Sequence, residues 1–216
     1  MTPPSPHEPS DGVALADSEP PNQDVFLGTQ SRNLNVFCHE TYDGSDCWRG
    51  HTSIGMATDE QKAPLVDEIA EAGSPLNPKY FIAVENLELW IENELAGLCR
   101  YRLATGDDPE YEIAPGEAFR LLLTLDAIFI RPQFHSQGFG QILSEELALL
   151  VTSGIFTKLR ADISIHPEVD LALYCEFESA QGERFFNQLV DELQFRTEII
   201  SHLIKVPIKV STDAGY

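Results

Sequence analysis

The stretch from Phe119 to Ile130 constrains this chain more than any other: it is the most apolar run, broken by Thr124 and Asp126 and closed by Pro132. A continuous apolar run of that length suits a strand buried on both faces in the middle of a sheet. A polar turn with Gly138 and Gly140 follows. Ile142, Leu143, Leu147, Leu150 and Val151 then recur at helical spacing from Gln141 to Thr152, with Gly154 as the expected stop. Strand, glycine turn and helix in immediate succession form the centre of whatever this chain folds into.

The flanking segments supply the rest of the layers. Thr58-Asp59-Glu60-Gln61 is a capping box ahead of Ala63, Leu65, Val66, Ile69 and Ala70, and Gly73 is placed to end that helix. Tyr80 to Trp90 has the aromatic and branched composition of a strand, Glu92-Asn93-Glu94 reads as a turn, and Leu95 to Leu103 as the returning strand. Thr105 to Gly116 is an acidic loop. Beyond the central helix, Phe156 to Ile165 alternates as a strand closed by Pro167, and Glu168 to Ser179 reads as an additional loop before the next helix. Gln181 to Leu193 is a helix with Phe185, Phe186, Leu189 and Val190 on its apolar side, and Ile199 to Val210 supplies one or two last strands. A hairpin joined to a strand-helix-strand unit implies an α/β fold with a mixed sheet and helices on both faces.

A length of 216 residues favours one domain. Residues 1–24, rich in Pro, Ser, Asp and Glu, read as a disordered acidic tail ahead of a domain spanning 25–216. The start lacks the basic and apolar parts of a signal peptide, and no run approaches the roughly 20 apolar residues that span a bilayer. A cytoplasmic protein is the expectation. Fourteen Lys plus Arg against 35 Asp plus Glu give a net charge of -21. That field repels nucleic acid and anionic lipid and draws in cations, a basic amine among them. Cys38-His39, Cys47 and His51 form a loose cluster, but the spacing matches no common zinc module. The expectation is no metal and four reduced cysteines, Cys99 and Cys175 being the other two.

The glycine turn carries the chemistry. A helix N-terminus offers unpaired N–H groups and the positive end of a dipole, and glycine lets the backbone close on a ligand. Such a turn binds a diphosphate without many basic side chains, as an acidic protein must. A dinucleotide fingerprint needs a third glycine, and a phosphate-binding P-loop ends in Lys-Ser/Thr, which Gly140-Gln141-Ile142 lacks. The two glycines alone leave open a turn that only starts a helix.

Ile130-x-Pro132-x-Phe134-His135-Ser136-Gln137-Gly138-Phe139-Gly140-x-x-Leu143 resembles the acyl-CoA-binding signature of the GNAT acetyltransferase superfamily. The element order from about residue 56 to 210 is similar as well, as is Arg184-Phe185-Phe186-Asn187-Gln188-Leu189 followed by Phe195. The resemblance implies a GNAT-like acyl-CoA N-acyltransferase fold, with acetyl-CoA or another acyl-CoA as co-substrate and a small-molecule or protein amine as acceptor. Carried over by position, it implies that Ile128, Phe129 and Ile130 bind the pantetheine arm through their backbone. His135, Ser136, Gln137, Gly138, Phe139, Gly140 and Gln141 would surround the diphosphate, and Asn187 would lie near the CoA chain. His135 stands where relatives have Arg or Gln, and Phe186 where many have a proton-donating Tyr. A homodimer is one arrangement open to such a domain.

Amine attack on a thioester needs a group to take the proton. Asp126 is a candidate base: with period two it shares a face with Thr124, Ile128 and Ile130, and a carboxylate in so apolar a strand would have a raised pKa, while the alternative is an Asp hydrogen-bonded to structural backbone groups. Glu176 and Glu178 are rivals, and Tyr174 or Cys175 could supply the proton that Phe186 cannot.

Overall fold

The computed structural model describes residues 32–40, 47–72, 78–82, 86–105, 116–162 and 167–215. The expected tail at residues 1–24 and most of the acidic loop lie outside them. Among the described residues, seven strands form one sheet: β1 (Arg32–Glu40), β2 (Cys47–Ile54), β3 (Leu87–Ile91), β4 (Glu94–Thr105), β5 (Phe119–Ile130), β6 (Val169–Glu176) and β7 (Ile208–Gly215). They lie side by side in chain order. Pairing is antiparallel from β1 to β5, then parallel from β5 to β7. The helices are α1 (Asp59–Glu71), α2 (Lys79–Ile82), α3 (Phe139–Asp162) and α4 (Ala180–Ile204). The fold is α/β, a mixed sheet flanked by helices.

Two apolar layers hold the sheet. Leu65 and Ile69 of α1 and Phe81 of α2 pack on Trp90, Leu95, Leu98 and Ala127. On the opposite face Leu143, Leu147 and Val151 of α3 and Phe185, Phe186 and Leu189 of α4 pack on Leu121, Leu123, Leu171 and Leu173. Each wholly buried Leu among these contributes about 1.5–3 kcal/mol relative to exposure. The capping box forms as expected, with Thr58 accepting from the Gln61 backbone and Gln61 reaching back to the Thr58 N–H. Glu88, buried in β3, accepts from Ser53 Oγ at 2.5 Å, Met56 N at 3.1 Å, Ala57 N at 2.9 Å and Trp90 Nε1 at 3.2 Å. This one carboxylate ties the β2–α1 connection to the sheet, and its donors explain why a charge is tolerated there.

Several expectations are corrected. Tyr80 lies in the short helix α2, so the strand begins only at Leu87. α3 runs through Gly154 to Asp162, so the part of the expected strand from Phe156 onward that is described is helix. Core contacts of Ile155 and Leu159 outweigh the cost of one glycine, about 1 kcal/mol. The strand sits instead at Val169–Glu176, in the stretch expected to be a loop, and its residues alternate buried and more exposed. α4 likewise continues to Ile204, leaving one last strand. Phe139–Thr157 is long and apolar enough to cross a membrane by length and composition, although 56% of its most apolar window is buried within the fold.

The hairpin β1–β2 was not foreseen, and it overturns the reading of four reduced cysteines: Cys38 and Cys47 form a disulfide across it. Their sulfurs are therefore not available as zinc ligands, and the His51 ring stacks on Trp90. Among the described residues no group of three His, Cys, Asp or Glu is arranged to hold a metal. The hairpin places Phe37 against Phe139 and Trp48 edge-on to Phe134, so β1 and β2 buttress the glycine turn.

Candidate functional site

The site begins with an irregularity in β5. Arg100 lies opposite Ala127 and Tyr101 opposite Leu125, which leaves Asp126 as an extra residue, a β-bulge. The bulge inverts the alternation. Leu121, Leu123 and Leu125 point into the core beneath α3 and α4, but beyond the bulge Ile128 and Ile130 take that side while Ala127 and Phe129 join the core beneath α1. The expected shared face of Asp126 with Ile128 and Ile130 is thereby lost.

The bulge also marks where β5 loses its parallel neighbour. Pairing with β6 runs from Phe119/Val169 to Leu125/Cys175 and stops, while β5 continues to Ile130. Arg131 N donates to Ala96 O on the β4 side. By strand alternation the backbone groups of Ile130 and Ile128 face the other way, toward the gap beside β6. These are hydrogen-bonding groups on an open strand edge inside the sheet.

The turn next to this edge is shaped for close approach. Pro132–Phe134 form a single 3-10 turn, Ser136 has φ +61° and Gly138 φ +89°. Both φ values lie in the region that L side chains rarely adopt, and at Gly138 the missing side chain removes that cost. α3 then starts at Phe139. Gln141 N already bonds Gly138 O at 3.0 Å, and the earlier N–H groups of the first turn have no intrahelical carbonyl to reach. A Cβ at Gly140 would meet only Ile130 Cδ1, at 3.9 Å, so the turn lies directly beside the end of β5. The arrangement brings Ile128, Phe129, Ile130 and Ser136 to Gln141 together around one edge. Phe139 is buried on Phe134, so its side chain belongs to the core. Gln137 Nε2 donates to Gln133 O at 2.9 Å and Gln141 Nε2 to Glu145 at 2.8 Å. Asn187 is exposed on α4, one residue beyond buried Phe186, which packs edge-on against Phe177.

The candidate proton-handling groups separate. Asp126 is not an isolated carboxylate: Arg100 Nε donates to it at 3.3 Å and Arg102 at 2.9 Å through Nε and 2.7 Å through Nη2. These hydrogen bonds raise the Arg102 pKa further above its ordinary value. Tyr174 and Glu176 lie on β6, not on a loop, and the Tyr174 hydroxyl donates to Glu176 Oε1 at 2.6 Å. That bond raises the tyrosine pKa and keeps its proton in place. Burial pushes the Cys175 thiol up to about 11, and its side chain points into the core, away from the exposed Tyr174–Glu176 pair. The arginine pair was legible only as alternate residues of a strand, and nothing in the sequence marked the bulge that brings Asp126 to them. Arg131, also unforeseen, holds Glu68 of α1 at 2.9 Å through Nε and Glu94 at the start of β4, fixing the strand end to its neighbours.

No family model matches this chain, and no curated protein does. Among solved structures it is similar to the ribosomal-protein-alanine N-acetyltransferase of Brucella melitensis biovar Abortus 2308, at 12% identity over 64% of this chain and 90% of that one, with a TM-score of 0.38. It is also similar to an aminoglycoside acetyltransferase from an uncultured soil metagenomic sample. The sisomicin complex gives 12% identity over 64% of this chain and 86% of that one, TM-score 0.32. The trehalose complex gives 10% with the same coverage, 64% and 86%, and TM-score 0.32. Scores this low carry no weight for function, which has to rest on the site itself.

Proposed function

We propose that the chain is an acyl-CoA-dependent N-acyltransferase that moves an acyl group, acetyl in the first instance, from coenzyme A to a primary amine. The observation that carries the reading is the open half of β5. Five residues, from Asp126 to Ile130, extend past the last β6 pair and end against a left-handed turn and a helix N-terminus. An extended, amide-bearing arm ending in a diphosphate is the ligand that uses both parts: the amides pair with the strand edge and the diphosphate accepts from the turn and from α3. Coenzyme A has that shape, and the signature resemblance points to the same molecule.

In this reading the thioester lies near the end of the β5–β6 pairing. The amine nitrogen attacks the thioester carbon, its proton passes to a carboxylate, and the departing thiolate takes a proton back. Glu176 is the base and Tyr174 the acid, since the two are exposed, hydrogen-bonded to each other and next to the last paired residue, Cys175. Asp126 is assigned with Arg100 and Arg102 to holding the bulge. The negative charge of the chain favours a cationic acceptor, while the Cys38–Cys47 disulfide stands against the cytoplasmic setting expected from the sequence.

One observation favours a second reading, a non-catalytic acyl-CoA-binding module of the same fold. Phe186 is a core residue, and each proton-handling candidate is already bonded to a neighbour. Thiol release from acetyl-CoA against a panel of polyamines, aminoglycosides and lysine- or N-terminal-amine peptides separates the two. Amine-dependent release that falls at least tenfold in Glu176→Gln supports the enzyme. Acetyl-CoA binding without release on any amine supports the module, and no binding rejects both.

A further inference from the structure

The open edge of β5 is partly covered by the chain itself. His135, the residue that closes the 3-10 turn, folds its ring back so that Nε2 lies 2.5 Å from the carbonyl oxygen of Ile130. A carbonyl only accepts, so Nε2 carries the hydrogen and Nδ1 is left as the acceptor in the neutral ring. Ile130 O is one of the groups that face the gap beside β6, because Arg131 N on the next residue faces β4. The imidazole therefore stands where an amide of an incoming arm would pair with the strand. A paired extended segment lies about 4.8 Å from the strand it joins, so ring and arm claim the same volume.

We infer that His135 is a gate on the open β5 edge: its imidazole caps Ile130 O in the free protein and must swing away before the pantetheine arm of coenzyme A can lie along the strand. This deepens the acyl-CoA reading and rests on it. The side chain is exposed and, among the described residues, is held at its ring by this hydrogen bond, while the backbone N–H stays anchored to Pro132 O at 3.1 Å. The ring can thus leave without the turn moving, and side-chain rotation of an exposed residue takes picoseconds to nanoseconds. His135 thereby discriminates between parts of one ligand: it opposes the pantetheine arm and leaves the diphosphate contacts of residues 136–141 untouched.

The test is calorimetric titration of the native protein and of His135→Ala with two ligands, coenzyme A and 3′-phosphoadenosine 5′-diphosphate, which keeps the diphosphate and lacks the pantetheine arm. Loss of one competing hydrogen bond is expected to tighten coenzyme A by about two- to tenfold while the Kd of the truncated nucleotide stays unchanged. Unchanged or weaker coenzyme A binding in the variant overturns the gate, because His135 would then be inert or a ligand contact. Equal tightening of both ligands overturns it too, because the ring would then act on the turn as a whole. Failure of the native protein to bind either ligand is a distinct result: it removes the acyl-CoA reading, and the gate falls with it. Thermal melts of both proteins, expected to coincide, show that any change belongs to the site.

Discussion

At Gly138 the backbone holds φ +89° between an exposed left-handed serine and the first residue of α3. A side chain with a branched Cβ at this position strains the turn, and Gly138→Val is expected to cost about 1–2 kcal/mol of stability. The same substitution should weaken coenzyme A binding at least tenfold, read by urea unfolding and calorimetry. Two buried thiols set a second expectation. Burial, with smaller contributions from the charges of Asp126 and Glu176, moves Cys175 from 9.0 to about 11, and burial moves Cys99 further in the same direction. In the unfolded chain both thiols ionise near pH 9, before they do so in the native protein, so the unfolded state loses protons first. The Cys175 contribution is intact below pH 9 and is lost from there to about pH 11, and the Cys99 contribution goes on declining above that. Urea midpoints should fall across that window, and a Cys175→Ser variant should show a shallower decline.

Among the elements, the β1–β2 hairpin is the one whose removal should be felt furthest from itself. Its disulfide closes a short loop, and its Phe37 and Trp48 rest on the two phenylalanines that shape the turn. Replacing both Cys38 and Cys47 by Ser should lower stability by about 2–3 kcal/mol from loop closure alone. Alkylation before and after reduction should count two additional reactive thiols; an unchanged count would show the pair to be free. This hairpin was invisible in the sequence because its residues mix charges, aromatics and glycine without a clean period of two. β5 was legible to the residue, since a strand buried on both faces is a continuous apolar run with sharp ends. The bulge inside it was not, because one extra residue leaves no compositional trace, and the misplaced face of Asp126 follows from it. Val169–Glu176 did carry a period-two pattern, but the apolar residues Phe156 and Leu159 upstream satisfied a strand reading as well as the helix in which they lie. Tertiary packing of α3, not local propensity, decided that ambiguity. The turn and its glycines were read correctly as a unit because strand, loop and helix follow one another without a gap.

For the molecule as a whole, a charge of -21 opposes an anionic ligand, and the site has to overcome that with backbone dipoles. Raising ionic strength from about 0.05 to about 0.3 M screens that repulsion and should tighten coenzyme A by roughly two- to fivefold. A cationic acceptor should respond the other way, its KM rising with salt. Calorimetry and initial rates across a salt series read both, and weakening of coenzyme A with salt would point to a basic phosphate site instead. In the proposed complex coenzyme A lies along the unpaired half of β5 and into the turn before α3. Amide NMR of the labelled protein, titrated with coenzyme A, tests this placement. The largest shifts are expected at residues 126–130 and 136–141, saturating together at one ligand per chain. Saturable binding with those amides unmoved, or no binding at all, would contradict it.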